Sequence, residues 1–66
     1  MHPKYYPGEL IYIRSSKYPG MIIEYLGTKK VRTGMTRFEP YPVYLVQDFK
    51  TGLLKELPVI VLRKQI

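Results

Sequence analysis

Cysteine is absent from these 66 residues, which excludes a disulfide framework or a thiolate metal site as a supplement to a small core. Histidine occurs once, as His2, in an irregular opening stretch, so acid–base chemistry has no partner set. Ser15 and Ser16 sit together without a neighbouring histidine to act as base. The five acids are scattered without metal-ligand spacing, and Glu9 and Glu24 read as solvated strand residues. Gly27 and Gly34 are too far apart to cradle a phosphate, and neither opens a helix. The expectation is a protein without catalytic activity, cofactor or metal.

Long apolar runs are missing too. None approaches the roughly 20 residues that span a bilayer, and MHPKYYPGEL lacks the apolar core of a signal peptide. A cytoplasmic protein with no membrane association is therefore expected. No apolar stripe of 3.6-residue period exceeds two turns, and the six prolines are spread too evenly for long helices. Internal repeats and low-complexity tracts are absent as well.

What remains is basic and rich in tyrosine. Eleven Lys and Arg against five Asp and Glu give a formal charge of +6, and there are seven tyrosines. Such an excess on so small a surface attracts polyanions or acidic proteins. The 45% hydrophobic share argues against disorder, and the length fits a single domain near the lower limit of independent folding.

The chain is organised around residues 6–26, where two apolar runs each follow a Pro-Gly pair, Pro7-Gly8 and Pro19-Gly20. Both pairs read as turns, since proline presets one backbone angle and glycine accepts the positive φ after it. An irregular arm covers residues 1–7, with Tyr5 and Tyr6 folding back over one end of the core. A strand over 9–14 points Ile11 and Ile13 inward and Tyr12 outward. A second strand, 21–26, is apolar on both faces: Ile22 with Leu26 on one, Ile23 with Tyr25 on the other. Residues 27–40 form a basic loop or a twisted hairpin tip, with Val31, Met35 and Phe38 touching the body. A third strand covers 42–49, with Pro40 and Pro42 at its entrance. Lys50-Thr51-Gly52 turns into a fourth strand over 53–57. Pro58 breaks it, and a final apolar run occupies 59–62. Five short strands separated by turn signals predict a small all-β barrel.

The segment GELIYIRSSKYPGMI resembles the opening of SH3-like barrels of the KOW type, with Gly8, Ile11, Ile13, Gly20 and Ile22 in the corresponding places. YPVYLVQDF and ELPVIVLRKQ are similar to the closing strands of the small SH3-like accessory subunit of photosystem I. The resemblance implies a five-stranded SH3-like barrel with one helical turn near Leu57-Pro58 and the last strand paired to the first. Its second branch implies docking of an acidic ferredoxin through basic residues.

The sharpest feature is the cationic stretch. Lys29, Lys30, Arg32 and Arg37 fall within nine positions that contain no acid, and in a strand Lys30 and Arg32 share a face. Phosphates reward such an arrangement through counterion release, and Thr28, Thr33 and Thr36 add hydrogen-bond donors. The plain alternative is a solvated loop kept basic for solubility. Tyr12, Tyr25 and Tyr44 fall on three strands and form an outward row on which bases stack; alternatively they cap the core. Arg14, Lys17, Arg63 and Lys64 form a second patch if first and last strands pair, while Lys50 and Lys55 read as isolated surface charges. The leading expectation is a nucleic-acid-binding module for DNA or RNA. The alternatives are an accessory subunit for an acidic protein and self-assembly into a small homo-oligomer through an open strand edge.

Overall fold

The computed structural model describes residues 4–14 and 18–64. His2, Ser15, Ser16 and Lys17 lie outside the described residues. The described residues are all-β, with five antiparallel strands: β1 (Leu10–Ile13), β2 (Pro19–Arg32), β3 (Phe38–Asp48), β4 (Leu54–Pro58) and β5 (Leu62–Lys64). One 3-10 turn, Val59–Val61, precedes β5. It follows Pro58 directly, one step beyond the place the sequence suggests.

The strands form one sheet in the order β4-β3-β2-β1-β5. Last and first strands do pair, with Ile11 opposite Lys64, Tyr12 opposite Arg63 and Ile13 opposite Leu62. This order is compatible with an SH3-like barrel. Hydrogen bonding does not close the sheet, however: β4 and β5 are its two edges.

Alternation in β1 follows the sequence reading, with Ile11 and Ile13 buried and Leu10 and Tyr12 exposed. These two isoleucines join Tyr5, Ile22, Tyr44, Val46 and Leu62 in the core, against which Leu57, Val59 and Val61 pack. Each fully buried aliphatic side chain contributes about 1.5–3 kcal/mol relative to exposure. The N-terminal arm supplies Tyr5 as a cover for this core, whereas Tyr6 stays exposed.

The two Pro-Gly pairs have different fates. Gly8 has φ +88°, as a turn requires. Pro19-Gly20, expected to be a second turn, instead opens β2, with Gly20 opposite Ile11 on one side and Asp48 on the other. There the glycine serves close approach: a Cβ at position 20 would lie 2.7 Å from the carbonyl oxygen of Gln47.

Strand β2 is far longer than the expected 21–26 and runs through the stretch read as a loop. Its register against β3 shifts twice, between Ile22 and Glu24 and between Tyr25 and Gly27, leaving Ile23 and Leu26 as extra residues. The period-two facing expected for 21–26 fails for this reason. Ile22 stands opposite Val46 and Tyr25 opposite Tyr44, and Val46 and Tyr44 lie on one face of β3. Ile22 and Tyr25 therefore share a face despite their odd spacing.

Candidate nucleic-acid interface

Beyond the second bulge, five successive pairs carry β2 and β3 outward, from Thr28 opposite Pro42 to Arg32 opposite Phe38. The turn at 33–37 closes the hairpin, with the Thr33 amide donating to the Arg37 carbonyl at 2.9 Å. No further register shift intervenes, so side chains alternate strictly between two faces. Prolines fit here because β4 joins β3 only from Val43 onward. Pro40 and Pro42, two residues apart, direct their donor-less nitrogens to the edge of β3 that has no neighbour among the described residues.

The strand geometry sorts the four cations. Thr28, Lys30 and Arg32 share one face with Phe38, Pro40 and Pro42, and that face carries no acid. Lys29 lies on the opposite face, with Val31, Glu39 and Tyr41. The Lys29 Nζ is 2.9 Å from the Glu56 carboxylate, and the Arg37 Nε is 3.2 Å from that of Glu39. Glu39 also accepts a hydrogen bond from the Tyr41 hydroxyl at 3.0 Å, which pushes that phenol's pKa up. The expectation of one continuous cationic arc is thus corrected. Two of its members are compensated by carboxylates that follow the arc or lie 27 positions away.

Lys30 makes no hydrogen bond or ion pair with the described residues. Arg32 donates from Nε to the Gly34 carbonyl at 3.0 Å and from Nη2 to that of Met35 at 2.6 Å. Carbonyls do not cancel its charge, and guanidinium has donors to spare. Phe38, directly across from Arg32, is 58% exposed, and Met35 in the turn is 87% exposed. Both, expected against the body, are exposed instead.

The tyrosine row does not exist. Tyr44 is fully buried, so it cannot stack on a base; its ring fills the core and its hydroxyl binds backbone. Tyr25 is 37% exposed and leans on the Tyr44 ring at a centroid distance of 5.3 Å, at the rim of the core-facing side. Tyr12, 39% exposed, projects from the opposite face of the sheet. Bulges and burial separate three residues that strand alternation alone would align.

The second basic patch is assembled in part. Tyr12 stands opposite Arg63, and the Arg14 amide donates to the Val61 carbonyl at 2.7 Å, beside the entry to β5. Lys64, next along β5, points to the other face. Lys55 departs from the isolated-charge reading: its Nζ is 3.0 Å from the buried carboxylate of Asp48. Glu9 also departs from the solvated reading, accepting from the Tyr6 amide at 3.3 Å.

Phe38 is the residue that strand-by-strand reading overlooks. The signal is present, since only four residues, 33–36, separate KKVR from RFEP, and a hairpin centred on Met35 sets Phe38 against Arg32. Among the described residues no three His, Cys, Asp or Glu are grouped to hold a metal ion, and no helix is long and apolar enough to cross a membrane. No protein-family model matches this chain, and no curated protein or solved structure does so either.

Proposed function

We propose that this protein is a small non-catalytic nucleic-acid-binding module of SH3-like type, acting through the outer half of the β2–β3 hairpin. The observation that carries this reading is the acid-free strip of Lys30, Arg32 and Phe38. Two cations one strand period apart bind successive phosphates with release of counterions, and an exposed ring between strands gives a base a stacking surface. Arg63 beside Tyr12 is a second contact of the same chemistry. The resemblance of residues 8–22 to KOW-type openings supports the reading, which also implies a cytoplasmic setting.

The test is an oligonucleotide titration at two salt concentrations, with an acidic protein as control. Affinity in the range of about 10⁻⁴–10⁻⁶ M near physiological salt is expected, tightening steeply at low salt. Lys30→Ala with Arg32→Ala should lower the slope of log K against log salt by about 2. Absence of binding at low salt, or a slope indifferent to that pair, would overturn the reading. Binding of the acidic protein alone would favour the accessory-subunit role implied by the closing strands.

A further inference from the structure

Past Gly27 the hairpin has no strand beside it among the described residues. Pairing with β1 ends at Met21, and pairing with β4 ends at Val43. The five pairs that follow make a finger two strands wide and, at about 3.3 Å per residue, roughly 15 Å long. Its end is fixed by the Thr33–Arg37 backbone bond and by Arg32, which clasps the carbonyls of Gly34 and Met35. Met35 and Phe38 stand exposed at this far end.

We infer that this finger is a minor-groove arm for duplex DNA, in which Met35 and Phe38 act as an apolar wedge that unstacks a base step and kinks the helix. The inference rests on the nucleic-acid reading above and deepens it. Exposed apolar side chains at the tip of a basic projection are the chemical combination that such wedges use. Lys30 and the unused donors of Arg32 would hold the flanking phosphates while the wedge enters. Double-stranded RNA fits less well, because its minor groove is wide and shallow and is read largely by shape and hydroxyl contacts. A protein strand added along β3 is disfavoured, since Pro40 and Pro42 remove donors from that edge.

The experiment uses the full chain with a duplex of about 20 base pairs labelled at both ends for energy transfer, and a 2-aminopurine reporter of unstacking. Saturation with the wild type should shorten the end-to-end distance by a bend of at least about 20° and brighten the reporter. Met35→Ala with Phe38→Ala should abolish both signals even at protein concentrations that saturate the duplex, and a saturated variant that still bends it would overturn the wedge. These side chains are exposed, so circular dichroism should report an unchanged fold. Saturable duplex binding with no bend and no unstacking would overturn the wedge and leave the nucleic-acid reading standing, as would binding confined to single strands. Failure to bind any oligonucleotide at low salt would remove the underlying reading itself.

Discussion

The hydroxyl of Tyr44 lies 2.8 Å from the backbone nitrogen of Lys4, forty positions away in the chain. The same oxygen accepts from the Tyr5 amide at 3.3 Å, and the two rings meet edge-on at 5.5 Å. One buried phenol thus ties down the N-terminal arm and fixes the ring that covers the core. Removing the hydroxyl leaves both amides without their acceptor, at a cost of about 1–3 kcal/mol for a buried unsatisfied group. Tyr44→Phe should therefore unfold at lower urea with an unchanged m-value, and the Lys4 and Tyr5 amides should lose hydrogen-exchange protection first.

Gly20 and Gly27 should respond to alanine for different reasons. At Gly20 the added carbon would sit 2.7 Å from the Gln47 carbonyl oxygen and 3.1 Å from Val46 Cγ1, forcing β3 away from β2. Overpacking of this kind costs about 1–3 kcal/mol. At Gly27 the space is open, but φ is +90°, which costs an L-residue about 1–2 kcal/mol. Asparagine tolerates that backbone region better than alanine. Thermal melts should accordingly show Gly27→Asn closer to wild type than Gly27→Ala, with no such recovery for Gly20→Asn.

Much of the fold is legible from local chemistry. The β1 alternation and the Gly52 turn each follow from residues that act within a few positions of themselves, whereas the helical turn after Pro58 is implied by the resemblance to SH3-like barrels. The bulges at Ile23 and Leu26 are not legible, because they are settled by what stands across the sheet. Pro19-Gly20 misleads for the same reason: a local turn signal yields to a tertiary need for a residue without a side chain beside Gln47. At the candidate site, the alternation of Lys30 and Arg32 can be read directly. The compensation of Lys29 by Glu56 cannot, since only the folding of β4 against β3 brings that acid near.

Acid sensitivity should centre on Asp48. Its carboxylate accepts from the Lys50 amide at 2.9 Å and from the Lys55 ammonium at 3.0 Å; the amide bond, and then the Lys55 contact, hold its pKa below the ordinary value. A folded pKa below the unfolded one means that the unfolded chain binds the proton more readily. The stabilisation is thus complete above the unfolded aspartate value, about 3.9, and is lost as pH falls through the folded one. Asp48→Asn keeps an acceptor for the Lys50 amide but has no proton to take up. Urea midpoints recorded from neutral pH down to about pH 2 should fall less steeply for this variant than for wild type.

The sorting of cations makes the sharpest contrast between paired substitutions. Lys29 and Arg37 already neutralise Glu56 and Glu39, so replacing both with alanine strips partners from two carboxylates on the far face. Exposed pairs of this kind contribute only about 0–1 kcal/mol each, so the fold should survive. Lys30→Ala with Arg32→Ala removes the same formal charge from the acid-free face. If charge alone governed binding, the two double variants would weaken an oligonucleotide equally. Position should matter instead, because a phosphate approaching Lys29 must compete with an existing carboxylate, whereas one approaching Lys30 meets an ammonium that has no ion-pair partner among the described residues. At low salt the Lys30/Arg32 variant should lose at least about tenfold more affinity than the Lys29/Arg37 variant, a gap that narrows as added salt screens both faces.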